Sequence, residues 1–128
     1  DVLRKNCADI HTRMTREFDS RGILLSGGEL QKLALARVMN SDVGLLILDE
    51  PSSALDPLAE YELIKLLENR AKTTSAIIVA HRLSTVKNAD CIYVMDNGCV
   101  VEKGTHIELM NKKGIYYDMF QKQSENYI

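Results

Sequence analysis

Three stretches of the sequence gather residues that could act on a phosphate. The first is Ser26-Gly27-Gly28-Glu29, which opens a run that reads as a helix as far as Asn40. Glycine costs about 1 kcal/mol against alanine inside a helix, so two in succession near a helix start mark a main chain that something must approach closely. The N–H groups of a first turn have no partner within the helix, and the macrodipole there is positive, which suits an anion. A serine N-cap after a loose turn is the simpler account of the same three residues. The second stretch is Asp49-Glu50, closing the apolar run VGLLIL, and the third is His81, closing SAIIVA. Asp49 is a hard oxygen ligand suited to Mg²⁺ beside a nucleotide phosphate. Glu50 could orient or deprotonate an attacking water, and His81 could hydrogen-bond a terminal phosphate or that same water.

Those positions need elements to carry them. Leu30, Leu33, Ala34 and Val38 recur at helical spacing after the glycines. VGLLILDE is a continuous apolar run of strand length, and a run without alternation predicts a strand covered on both faces, as in a parallel sheet. In PSSALDPLAEYELIKLLENR, Asp56 and Pro57 read as N-cap and first helical residue, with Leu63, Ile64, Leu66 and Leu67 on a buried stripe. SAIIVA reads as a second buried strand, RLSTVKNA as a short helix capped by Ser84, and CIYVMD with GCVVEKG as a hairpin across Asn97-Gly98. A regular hairpin there pairs Asp96 with Cys99 and Cys91 with Gly104. Two helical segments follow, one capped by Thr105 and one whose Ile115, Met119 and Phe120 could pack inward. Residues 1 to 13 read as a further helix. The alternation of helix and strand predicts an α/β fold with a partly parallel sheet, whose ligands belong beyond the carboxyl ends of the strands, where Asp49, Glu50 and His81 stand.

Composition narrows the class. The 16 Lys and Arg nearly balance 18 Asp and Glu, which gives no support for nucleic acid or an acidic membrane surface as partner. The longest apolar runs are about half a dozen residues, against the roughly 20 that a membrane helix needs. The first residues mix both charges and lack a signal-peptide block, and the absence of an initial methionine suggests a piece of something longer. Cys7, Cys91 and Cys99 are odd in number and without CxxC spacing, which argues against a zinc site or a disulfide framework. They read as buried, inert thiols in a reducing cytosol.

Four motifs in order carry a resemblance: LSGGE at 25 to 29, LLILDE at 45 to 50, SALD at 53 to 56 and AHRLSTVKNAD at 80 to 90. They resemble the signature, the Walker B strand with its catalytic glutamate, the D-loop and the switch histidine of the ATP-binding cassette of ABC transporters. The tail DNGCVVEKGTHIELM is similar to exporter-type cassettes. The resemblance implies an incomplete P-loop NTPase (RecA-like) core, with 1–40 as the end of the helical subdomain and 41–128 as the C-terminal part of the ATPase core. In that family two cassettes face each other head to tail with ATP between them. Ser26, Gly27, Gly28 and Glu29 would then bind the γ-phosphate of a partner's nucleotide. Asp49 with Mg²⁺, Glu50 and His81 would serve the cassette's own nucleotide, and Ser53, Ala54, Leu55 and Asp56 would line the dimer interface.

The same resemblance implies a homo- or heterodimeric pair of cassettes beneath a transmembrane domain, on the cytoplasmic side of the membrane. REFDSRG, residues 16 to 22, resembles the loop that touches the transmembrane coupling helices, although Phe18, Asp19 and Ser20 depart from its common form. Two further departures stand out. Glu29 replaces the more frequent Gln, and none of the seven glycines belongs to a G-x-x-x-x-G-K-[ST] phosphate loop. An intact domain would hydrolyse ATP to drive export, whereas this chain alone is expected to be inactive and to cover its open sheet edge by self-association. A non-catalytic interaction module and a soluble ABC-type ATPase are the alternatives.

Overall fold

Short polar side chains set the helix starts. In the computed structural model, which describes residues 2–5, 8, 9, 11–16 and 20–125, the elements run α1 (Val2–Lys5), α2 (Gly27–Met39), β1 (Leu45–Asp49), α3 (Pro57–Arg70), β2 (Ser75–Val79), a 3-10 turn (Leu83–Thr85), β3 (Ile92–Asp96), β4 (Cys99–Gly104), α4 (His106–Lys112) and α5 (Ile115–Glu125). Ser26, Asp56 and Thr105 cap α2, α3 and α4, each accepting a main-chain N–H of the following turn. At Ser26 and Thr105 the third helical residue, Glu29 or Glu108, reaches back to complete a capping box. Pro57 at the first position of α3 gives up an N–H that the helix could not have used.

The chain forms two compact units, Asp1–Ile77 and Ile78–Ile128. β1 lies in the first, β2 begins there and runs across the boundary, and the two are hydrogen-bonded neighbours joined through α3, a β-α-β crossover that makes the pair parallel. The buried apolar side chains of the first unit are Leu46, Leu48, Leu55, Ala59, Leu63 and Leu67. Both strands were expected to be covered on two faces. Instead Leu46 and Leu48 of β1 are buried while Leu45 and Ile47 are exposed, and β2 is largely open, with Ile77 and Val79 exposed. One crossover helix covers one face of a two-stranded sheet, and no second layer is present among the described residues. For the same reason α3 buries Ala59, Leu63 and Leu67, four residues apart, and leaves Leu66 exposed. No residue of α2 is fully buried.

The expected helix over 1 to 13 is confined to Val2–Lys5 among the described residues. Asp9 explains where it stops being possible: its carboxylate accepts from the His11 N–H at 2.9 Å and from the Thr12 hydroxyl at 2.9 Å. Such a side-chain turn competes directly with helical hydrogen bonding. Cys7, Phe18 and Asp19 lie outside the described residues. Arg16 Nε donates to the Gly22 carbonyl at 2.8 Å, closing the ends of the segment that contains the last two.

In the second unit, Leu83, Ile92, Val94, Leu109 and Tyr116 form one apolar cluster, joined by Val86, Ala89, Met110 and Phe120. The 3-10 turn replaces the helix expected at RLSTVKNA; Ser84 lies inside it and the capping position is Arg82, whose side chain makes no capping bond. Asn97 and Gly98 both take positive φ, 47° and 77°, the geometry of a two-residue hairpin turn whose twist matches its strands. Asp96 pairs with Cys99 as expected, but a bulge opposite Val94 and Met95 moves the rest of β4 by one residue. Ile92, rather than Cys91, therefore faces Gly104, and Val94 faces Glu102. Cys91 and Cys99 are exposed, contrary to the expectation of buried thiols, since one precedes β3 and the other follows the turn directly. On α5 the inward residues are Tyr116 and Phe120, with Ile115 and Met119 exposed.

Glu102 ties this unit together. Its carboxylate is buried, accepts the Tyr116 N–H at 2.8 Å at the start of α5, and lies 3.6 Å from Lys112 Nζ. Gly114 makes room for it, because a Cβ there would collide with Glu102 Oε1. The Tyr116 N–H, and after it Lys112, hold the Glu102 carboxyl below its ordinary value of 4.5. A carboxyl depressed in the folded state contributes stability that is fully present above pH 4.5 and is lost as pH falls through its folded value. In urea unfolding of the chain, stability should fall between pH 4.5 and more acid values, and Glu102→Gln should lower it at neutral pH while making that fall shallower. An unchanged acid profile in the variant would contradict this role of Glu102.

Candidate functional site

The start of α2 and the turn after β1 meet through one close main-chain approach and one side chain. A Cβ on Gly28 would come 2.8 Å from the Ala54 carbonyl oxygen, closer than carbon and oxygen can pack without a shift. Gly28 is therefore required where it stands, and the helix start rests on the segment Ser53-Ala54. Three residues along the same helix, Gln31 bridges the gap between the two. Its Nε2 donates to the Glu50 carbonyl at 3.2 Å and to Ser53 Oγ at 3.2 Å, and its Oε1 accepts the Ala54 N–H at 3.0 Å. Lys32 adds a longer contact, 3.5 Å from Asp56 Oδ2, and both residues are exposed enough for it to contribute little. The Asp56 carboxyl lies below its usual value, because the Ala59 N–H donates to it and Lys32 stands nearby.

Glu50 itself is unusual. Its φ of 44° lies in the left-handed region, which costs a residue with a side chain roughly 1–3 kcal/mol and persists only where neighbours enforce it. Two neighbours do so here: the Ser53 N–H donates to the Glu50 carbonyl at 3.1 Å, closing a turn that contains Pro51, and Gln31 donates to the same oxygen. Asp49, one residue earlier, ends β1 with its side chain exposed. Ser52 and Leu55 are buried beneath the turn, whereas Ser53, Ala54 and Asp56 face outward.

Ser26 proves to be the N-cap that the simpler sequence account required. Its hydroxyl accepts the Glu29 N–H at 3.3 Å and donates to Glu29 Oε2 at 3.0 Å, while the Ser26 N–H donates to Glu29 Oε2 at 2.9 Å. Lys5 pairs with the other Glu29 oxygen at 3.0 Å, which offsets the charge placed on the helix start. Capping thus takes the N–H groups of Ser26 and Glu29 and leaves those of Gly27 and Gly28 as the uncapped donors of the first turn. An anion and the cap are compatible: the serine organises the turn, and the glycine N–H groups remain for a ligand.

The structure brings Ser26, Gly27, Gly28 and Glu29 together with Glu50, Ser53, Ala54 and Asp56 in the first unit. His81 belongs to the second, two residues beyond β2, where the chain runs into the 3-10 turn. Sequence reading missed Gln31, which stands between the apolar positions Leu30 and Leu33. The signal was present, since Gln31 lies three and four residues beyond the two glycines and so on their face of the helix. A test separates steric need from helix propensity. Gly28→Ala must displace the Ala54 carbonyl and should cost about 1–3 kcal/mol, whereas Gly27→Ala, with nothing within 4 Å of the added carbon, should be neutral or slightly stabilising. Urea unfolding midpoints of the two variants give the comparison.

Residues 4–53 match the family model described as ABC transporter. Over 103 residues the chain is 48% identical to the multidrug resistance protein pgp-1 of Caenorhabditis elegans, covering 80% of this chain and 8% of that protein. Over 102 residues it is 46% identical to the ATP-dependent lipid A-core flippase of Idiomarina loihiensis, covering 80% of this chain and 18% of that one. Among solved structures, a bacterial Atm1-family ABC exporter with ATP bound aligns with a TM-score of 0.75 and 37% identity, over 78% of this chain and 18% of the exporter. The chain thus spans under a fifth of the length of these relatives. Order of motifs, geometry and likeness agree: the chain belongs to the ABC transporter family, as a segment of its ATP-binding domain.

Proposed function

We propose that this chain is the C-terminal part of the ATPase cassette of an exporter, and that in the intact protein it helps convert ATP binding and hydrolysis into movement of a cargo across a membrane. The observation that carries the reading is the junction at Gly28, Gln31 and Ala54, which joins the phosphate-facing helix start to the turn that presents Glu50. One relative is named a multidrug resistance protein and another a lipid A-core flippase, which supports an exporter over a soluble ATPase.

In this reading Gly27 and Gly28 offer main-chain N–H groups to the γ-phosphate of a nucleotide held by a second cassette, and Ser26 and Glu29 keep that turn in shape. Glu50 orients the attacking water and accepts its proton at a carboxylate oxygen, with the left-handed backbone fixing where the carboxylate starts from. His81 donates a hydrogen bond to the terminal phosphate. The exposed carboxylate at the end of β1 suits Mg²⁺, which in nucleotide sites is held by one or two carboxylates together with the phosphates. Asp49 would hold it, and it would supply neutralisation of the charge on the β- and γ-phosphates. Ser53, Ala54 and Asp56 lie along the face offered to the second cassette, with Leu55, expected there too, buried beneath them. A transmembrane domain is the other partner, with the cassette on the cytoplasmic side.

The chain as it stands has no phosphate loop, which favours a second reading for the isolated polypeptide: an interaction module that presents its helix start to a complete cassette. Leu45, Ile47, Ile77 and Val79 are exposed on the β1–β2 sheet, so the isolated chain should self-associate. Light scattering that finds only monomer would count against it. In the intact protein, Glu50→Gln should retain ATP binding and lose nearly all turnover; full turnover in that variant would remove Glu50 from the mechanism.

A further inference from the structure

The end of α5 carries an amide on the face that its neighbours devote to the apolar cluster. Tyr116, Phe120 and Gln123 follow one another at spacings of four and three, so they share one face of the helix. Tyr116 is 1% exposed and Phe120 packs against the cluster that also contains Leu83. Gln123 is thereby delivered to the segment between β2 and the 3-10 turn. There its carboxamide makes two bonds of opposite sense. The Leu83 N–H donates to Gln123 Oε1 at 2.9 Å, and Gln123 Nε2 donates to the His81 carbonyl.

Both bonds meet a local need. Leu83 opens a 3-10 turn that the Arg82 side chain does not cap, so Gln123 supplies the missing acceptor from the far end of the unit. His81 stands two residues beyond the end of β2, where its carbonyl has left the ladder. The two bonds grip the main chain on either side of Arg82, which fixes the peptide planes next to His81. Only a side chain that both donates and accepts can do this. A carboxylate in its place would accept from Leu83 but set an oxygen against the His81 carbonyl.

We propose that Gln123 is a positioning residue for His81: it clamps the main chain after β2 so that α5 determines where the imidazole is presented. The proposal rests on the reading of His81 as the residue that meets the terminal phosphate. A clamp of this kind acts on turnover rather than on nucleotide binding, and its effect should vanish once His81 is gone.

The test uses the full-length protein, with Mg-ATP as the probe and steady-state ATPase kinetics as the readout. Gln123→Leu should lower kcat about 10- to 100-fold, with KM for Mg-ATP little changed. Gln123→Glu should do the same, and it decides the matter if the leucine variant fails to fold. The discriminating measurement is the double variant: adding Gln123→Leu or Gln123→Glu to His81→Ala should cost nothing beyond His81→Ala alone. Full turnover in the Gln123 variants beside an inactive His81→Ala overturns the clamp and leaves the reading of His81 intact, as does a loss that multiplies with that of His81→Ala. Full turnover in His81→Ala overturns that reading and the clamp with it.

Discussion

A helix can rest its first turn on another segment's carbonyl oxygen only where no Cβ stands between them. That constraint, met at Gly28 against Ala54, underlies the first unit's functional geometry. It sets the distance at which Gln31 can reach three main-chain and hydroxyl partners at once, and those bonds in turn hold the Glu50 carbonyl in a conformation that a side-chain-bearing residue adopts only under restraint. Move the helix outward by the width of a methyl group and each of these bonds lengthens beyond use. The pair of glycines therefore has a divided role: Gly28 is there for the protein's own packing, and Gly27 borders open space.

Charge is arranged with equal economy at the same helix start. Glu29 brings a carboxylate to the positive end of the macrodipole, where it stabilises the helix, and Lys5 neutralises it from α1. What remains is a first turn in which capping takes up the N–H groups of Ser26 and Glu29 and not those of Gly27 and Gly28. The side chains fix the turn, while the main chain keeps its capacity to bind. In the second unit the corresponding stabilising charge is Glu102, whose carboxylate accepts from the start of α5.

Local chemistry was legible in the sequence and distant packing was not. The starts of α2, α3 and α4 followed from Ser26, Asp56 and Thr105 because a cap involves a residue and its neighbours three positions away. The Asn97-Gly98 turn was legible for the same reason. Asp9 is local too, and its side-chain turn falls within the span of the expected N-terminal helix. By contrast, the exposure of Ile47, Leu66 and Val79 depends on which layers surround the sheet, and an apolar run records only that covering is possible. The motif order placed Ser26 to Glu29, Asp49, Glu50 and His81 on the page as site residues; Gln31 and Gln123, which secure the backbone beneath them, belong to no motif. A glutamine looks the same in a sequence whether it faces water or bridges two segments.

The bulge in β4 has a consequence for the parity of the strand. In a regular ladder Val101 would face Val94, and Glu102 would point outward beside Tyr93. The one extra residue reverses this, so that the carboxylate turns inward and the start of α5 finds its acceptor. In a hairpin of this length the bulge thus decides whether the helix that follows has an anchor. Closing the bulge without a deletion would keep every side chain and send Glu102 to the wrong face, whereas deleting one residue between Gly98 and Glu102 would leave it opposite Val94.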